Sequence, residues 1–225
     1  MGTDDLFRKR KARLAESHRR EKAKRAPYER VLIVCEGMKT EPRYFRGLRL
    51  ALRLHPANVV IEDKKSGLDP KGLVAFAIET FKKGKDFDHV FCVFDKDKHI
   101  SYNAALDKIR ATRLAGRATV HAITSVPCFE IWLLLHFTYT TRPFSMAGSD
   151  SNCALVINAL DRKGRIRGYE KGSGDIFNVF SDKIETAIRN AEKLENFHKT
   201  SQTDNPSTKV HELVQFLKGL KRSFP

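Results

Sequence analysis

Three acids stand where chemistry is easiest to build: Glu36, Asp95 and Asp97. The stretch HVFCVFDKDKH, residues 89 to 99, is an apolar run ending in two aspartates one residue apart. Side chains two apart on an extended segment point the same way, so Asp95 and Asp97 can converge. Glu36 ends an earlier apolar run, RVLIVCEG. Carboxylates gathered without a counter-charge repel one another and desolvate poorly. A divalent cation relieves both costs, and hard oxygen donors suit Mg²⁺ or Mn²⁺, as one or two ions. Such an ion polarises a phosphate oxygen and acidifies water. Glu36 reads either as a ligand or as the base that takes the proton of an attacking water.

Other residues stand near these acids in the pattern. Glu41 stands at a helix start, where its charge reads as a partner for the helix dipole. Lys39 and Thr40 precede a helix and can cradle phosphate there. His99 can donate to phosphate or to a leaving group. Lys96 and Lys98 interleave the aspartates and offer charge to a polyanion. Glu130 sits in the apolar stretch PCFEIWLLLHF, where a carboxylate is costly to bury unless it meets a cation or metal. His136 follows in the same stretch. Cys128 and Trp132 read as packing residues. In NPSTKVHELV the preferred reading is a helix N-cap at Ser207 or Thr208 with His211 on the helix surface. A sharper reading sets Lys209 and His211 against phosphate, over the metal site. Arg165, Arg167 and Lys171 lie in a basic, glycine-rich loop.

The elements that must position these groups follow from periodicity. Four short apolar runs read as strands: RVLIVCEG, NVVIED, HVFCVFD and ATVHAIT. Between them EPRYFRGLRLALRL, PKGLVAFAIETFKKG and SYNAALDKIRATRLAG read as helices, the first with Pro42 in its opening turn. Ser101 is the expected N-cap of the third helix and Gly116 its end. Strands alternating with helices indicate an α/β fold with a parallel sheet of about four strands, covered on both faces. Ligands of such sheets bind beyond the carboxyl ends of the strands. If the first and third strands are neighbours, Glu36 and the aspartates share one edge. PCFEIWLLLHF reads as a buried helix opened by Pro127. Beyond residue 140 the pattern is helical, with DIFNVFSDKIETAIRNAEKLENF as one long helix starting near Asp175, and PSTKVHELVQFLKGL as the last. The expected divisions are a basic arm at 1–30, an α/β domain at 31–140 and a helical extension at 141–225.

The formal net charge of +15 over 225 residues points to a polyanionic partner, most often nucleic acid. The basic arm and the loop would supply salt-dependent, sequence-independent contacts to its backbone. None of Cys35, Cys92, Cys128 and Cys153 forms a C-x-x-C pair, and the pattern is that of a reducing compartment. No run approaches the roughly 18 apolar residues of a membrane span, and the N-terminus has no apolar signal core, so the expected location is cytoplasmic, with no membrane partner. No G-x-x-x-x-G-K-[ST] is present, which removes the usual ATPase.

A glutamate after the first strand and D-x-D after the third, within a four-strand α/β unit, resembles the Toprim domain of topoisomerases, primases and small nucleases. The motifs VCEGMKTEPRYFRGL, FDKDKH, SVPCFEIWLLLHF and NPSTKVHELV, in that order, resemble the RloB-like family, relatives of the AbiLii abortive-infection protein. The likeness runs from residue 31 to about 220. It implies a Toprim-like sheet and a metal-dependent nuclease of anti-phage defence, found beside restriction–modification genes. It implies an acid/base role for Glu36 and a ligand role for Glu41. It favours RNA, such as tRNA, over DNA, and allows an ATPase encoded nearby and a homo-oligomer. Two other readings stand beside it: a Toprim fold that grips nucleic acid or a partner without cutting, and another phosphoryl-transfer enzyme.

Overall fold

The structure, a computed structural model, describes residues 29–62, 68–84, 86–96, 99–145, 151–162, 166, 169, 171–172, 176–201 and 203–220. Asp97, Lys98, Arg165, Arg167, Asp175 and all but the last two residues of the basic arm lie outside these.

Strand β1 (Val31–Cys35) is buried at every position, as an interior parallel strand must be. Helix α1 (Thr40–Ala51) follows, with Pro42 in its first turn. It turns Tyr44, Phe45 and Leu48 inward. Then come β2 (Val59–Glu62), α2 (Pro70–Gly84), β3 (His89–Asp95), α3 (Tyr102–Ala111) and β4 (Thr119–Val126). The sheet order is β2-β1-β3-β4-β5. The first four strands are parallel, and β3 is the neighbour of β1. The fifth strand, β5 (Ser207–Thr208), is short and antiparallel to β4.

Alternate residues of each strand feed opposite cores. Leu32, Val34, Val90, Cys92 and Phe94 meet α2 and α3. Val31, Ile33, Phe91, Val93 and Ile123 meet α1 and the helices after β4, in a larger core around the fully buried Trp132, Tyr44 and Phe180. Those helices are α4 (Glu130–Leu135), α5 (Asn152–Arg162), α6 (Ile176–Phe180), α7 (Ile184–His198) and α8 (Val210–Gly219). Among the described residues, no helix is long and apolar enough to cross a membrane.

Several local expectations are corrected. The long helix expected over 175–197 is broken: a 3-10 turn at Ser181–Lys183 separates α6 from α7. Phe177 and Phe180 on the first piece and Ala187, Ile188 and Ala191 on the second are all buried, and the two faces belong to different segments. Helix α4 starts at Glu130 and not at Pro127, whose preceding peptide is cis. Helix α3 ends at Ala111, and Gly116 sits in a separate 3-10 turn at φ 69. Ser101 precedes α3 but makes no side-chain cap. The last helix opens at Val210 because Ser207 and Thr208 pair with β4, where Ser125 Oγ and Thr208 Oγ1 lie 3.0 Å apart. Cys128, expected as packing, is disulfide-bonded to Cys153 on α5, with Cα atoms 5.7 Å apart.

Candidate active site

The register decides the site. Cys35 lies beside Val93, so Glu36 and Asp95 leave the same edge of the sheet together. The Glu36 N–H donates to Val93 O over 3.0 Å and continues the ladder by one residue. The Glu36 side chain then turns toward β3. Its Oε2 accepts the Asp95 N–H at 3.0 Å, and its Oε1 lies 3.0 Å from His99 Nε2. Both oxygens are thus oriented before any ligand arrives.

Gly37 follows, and its missing side chain matters: a Cβ there would stand 2.0 Å from Glu41 Oε2. The Glu41 carboxylate folds back over the glycine from the first turn of α1. Glu41 is buried, and desolvation first of all, then repulsion from Glu130 and Glu36, pushes its pKa up to about 7 against the pull of Lys171. Asp95 is raised well above the ordinary aspartate range by burial and then by Glu41, Glu130 and Glu36. These four carboxylates, with Lys39, Thr40 and Lys171, line one cavity of about 320 Å³.

Glu130 enters from α4 and is 1% exposed. Two partners come from the chain after α5, Tyr169 OH donating to Oε1 over 3.4 Å and Lys171 Nζ lying 3.4 Å from Oε2, and Cys153 Sγ on α5 lies 3.3 Å from Oε2. Burial and Glu130 raise the Tyr169 pKa, so the hydroxyl stays a donor. Burial pulls the Lys171 ammonium down, but Glu130, Asp95 and Glu41 outweigh it and hold the charge. Gly172 pins this loop to α1. Its N–H donates to Thr40 Oγ1 at 3.1 Å, and Arg43 donates to its carbonyl. Its φ of 79, and the 2.6 Å that would separate a Cβ from Lys39, both demand glycine.

The remaining candidates fall elsewhere or are already engaged. The exposed Lys39 borders the cavity, while Thr40 is buried with its hydroxyl taken by Gly172. Lys96 pairs with Asp204 at 2.6 Å. Lys209 pairs with Glu212 at 3.0 Å, and its N–H donates to Thr124 O. His211, expected on the helix surface, is 2% exposed and faces Glu195 at 3.5 Å, because α8 packs that turn against α7. His136 is buried behind the site, 2.9 Å from Trp132 O, and burial lowers its pKa to about 4. Tyr169, Arg43, Gly172 and Asp204 were not singled out from the sequence. No local pattern marks them, since each acts through a partner far along the chain.

The cavity wall offers four carboxylates, hard oxygen donors of the kind that Mg²⁺ or Mn²⁺ prefers, two of them raised by burial first and by repulsion second, with no three of them bringing oxygens within 4.8 Å of one another. Glu36, Glu41, Asp95 and Glu130 would hold the ion.

No curated protein and no solved structure matches the chain. The model of the RloB-like protein family matches residues 31–217, a span that holds the sheet, every site carboxylate described above, and the loop that carries Tyr169 and Lys171. The chain therefore belongs to the RloB-like protein family.

Proposed function

We propose that this protein is a metal-dependent nuclease that hydrolyses phosphodiester bonds in anti-phage defence. One observation carries the reading: four carboxylates from β1, α1, β3 and α4 line one cavity, with Lys39 and Lys171 at its wall. A bound Mg²⁺ or Mn²⁺ would supply charge stabilisation for a phosphate and acidify water. The chain's own groups do the rest. Lys39, beside the N-terminus of α1, attracts and orients the phosphate. Glu36, fixed by Asp95 and His99, is placed to accept the proton of the attacking water. The water oxygen bonds to phosphorus as the bond to the leaving oxygen breaks, and that oxygen takes a proton from His99 or from solvent. Burial first, and the neighbouring carboxylates second, disfavour the charged forms of Glu41 and Asp95, and a cation would relieve both costs.

RNA, with tRNA as one structured example, is the favoured polymer on the likeness to defence proteins, and an ATPase encoded nearby is the corresponding partner. The test is incubation with end-labelled RNA and DNA in Mg²⁺, Mn²⁺ or EDTA, beside Asp95→Asn. Cleavage that disappears in EDTA and in the variant supports the reading. Intact polymer in every lane rejects it. Tight, salt-sensitive binding alone would then assign a non-cleaving module, and turnover of free nucleotides another phosphoryl-transfer enzyme.

A further inference from the structure

Cys128 stands two residues before Glu130, and Cys153 is the second residue of α5. Both are buried, at 2% and 8% exposure. Their sulfurs are joined, while Cys35 and Cys92 stay free. The same Cys153 Sγ lies 3.3 Å from Glu130 Oε2, the oxygen that faces Lys171. Cys128, Glu130 and Cys153 each bring a ligand atom within 4.8 Å of the other two. One sulfur therefore has two partners in reach, and it serves them only in turn. As a thiol it has a hydrogen to give to the carboxylate. In the disulfide it has none, and it meets the carboxylate with lone pairs alone.

We propose that Cys128 and Cys153 form a thiol–disulfide switch that sets how firmly the carboxylate cavity holds its cation. Oxidation tightens the hold and reduction loosens it. The inference rests on the reading of Glu130 as a cation ligand. In the reduced protein the Cys153 S–H and the cation compete for the negative charge of Oε2. Oxidation removes the competitor. The coupling is reciprocal: a cation on Glu130 favours the disulfide by the factor by which the disulfide favours the cation. A weak donor on a charged acceptor makes that factor roughly fivefold. The chemistry is exchange with a small-molecule disulfide. Cys153 Sγ, the more exposed sulfur, bonds to one sulfur of the reagent, and the reagent's own S–S bond breaks. Cys128 Sγ then attacks Cys153 Sγ, and the second reagent sulfur leaves. Two electrons pass to the reagent, and the two protein thiol protons end on the two reagent thiols. In a reducing compartment, which the cysteine pattern predicts, such a bond is made on oxidation and does not persist.

The test is the Mn²⁺ affinity of the full chain, read by the electron paramagnetic resonance of free Mn²⁺. It is measured after oxidation by glutathione disulfide and after reduction by a phosphine, with each state checked by alkylation and mass. The oxidised protein binds roughly fivefold more tightly. Cys128→Ser and Cys153→Ala separate the donor from the covalent link, since neither can form the bond. Cys128→Ser keeps the Cys153 S–H and binds as the reduced wild type does. Cys153→Ala lacks the donor and binds as the oxidised wild type does. Their thermal midpoints are compared with that of the reduced wild type, which also lacks the bond. In EDTA, Glu130→Gln weakens the acceptor and shifts the thiol–disulfide equilibrium in a glutathione buffer toward the disulfide. Equal Mn²⁺ affinity in both wild-type states, or no binding in either, overturns the switch. So does a cysteine pair that answers neither reagent, or an equilibrium that Glu130→Gln leaves in place. Equal binding by Cys128→Ser and Cys153→Ala would assign the effect to the link and overturn the donor account. The nuclease reading fails separately: it falls if neither redox form cuts RNA or DNA, even where Mn²⁺ affinity changes as stated.

Discussion

The backbone N–H of Asp95 donates to the carboxylate of Glu36 over 3.0 Å, so the second acid of the site orients the first through its main chain. Glu36→Gln and Glu36→Ala therefore separate geometry from charge. The amide of glutamine still accepts that hydrogen bond, and its fold stays near wild type. Alanine leaves the Asp95 N–H without its acceptor and costs about 1 kcal/mol in urea unfolding. Both variants lose Mn²⁺ affinity by roughly tenfold or more, read by the electron paramagnetic resonance of free Mn²⁺.

Among the described glycines, Gly37 is the one where a single methyl group strikes a site carboxylate. Gly37→Ala sets a Cβ 2.0 Å from Glu41 Oε2, the far end of a side chain that borders the cavity and must swing away into it. The expected outcome is a melting temperature near wild type with Mn²⁺ affinity and cleavage both sharply reduced. Calorimetry and an end-labelled cleavage assay check it. Unchanged metal binding would show that Glu41 is not needed as a ligand.

The carboxylate cavity makes the metal-free protein sensitive to pH. Glu41 titrates near 7 when folded and near 4.5 when unfolded, so the folded state binds the proton more tightly. Its stabilising contribution is whole below about 4.5 and is lost as pH rises through 7. The loss is on the order of 3 kcal/mol at most. Asp95, also raised, adds to it with the same sign. Urea unfolding in EDTA should weaken as pH climbs from 5 to 8, less so in Glu41→Gln. Mg²⁺ at pH 8 should restore the wild type. A flat profile in EDTA would contradict the clustered carboxylates.

Lys171 is the described cation that meets the buried Glu130, at 3.4 Å. Lys171→Met leaves that carboxylate with the Tyr169 hydroxyl and no positive charge. The expected cost is about 1 to 2 kcal/mol at pH 8 in EDTA, since the lysine is itself partly solvated. Mg²⁺ should recover most of it, because an ion replaces the missing charge. Tyr169→Phe, lacking only the hydroxyl, should cost about 1 kcal/mol. Equal melting temperatures for wild type and Lys171→Met, with and without Mg²⁺, would rule out this ion pair as a support of the site.

The order of strands and helices through residue 126 was legible in the sequence. Apolar runs bounded by glycine and charge specify strands locally, and Pro42 specifies a helix start, without reference to anything distant. Glu36 and Asp95 could be placed at strand ends for the same reason. Their meeting needed one further fact, that β1 and β3 are neighbours, which depends on how the whole sheet assembles. Only tertiary structure decided the rest. Glu130 joins the cavity because α4 packs beneath it, and Tyr169 and Lys171 reach Glu130 because Gly172 is clamped to Thr40 and Arg43. His211 was expected at the surface because a lone histidine at a helix start gives no sign of which face will be covered. The break between α6 and α7 was hidden because both pieces bury apolar residues, and Phe180, the last residue of the first, packs against His136 and Phe137. Secondary structure answers to near neighbours in the chain. The company a buried charge keeps is set by residues a hundred positions away, and only the folded core brings them together.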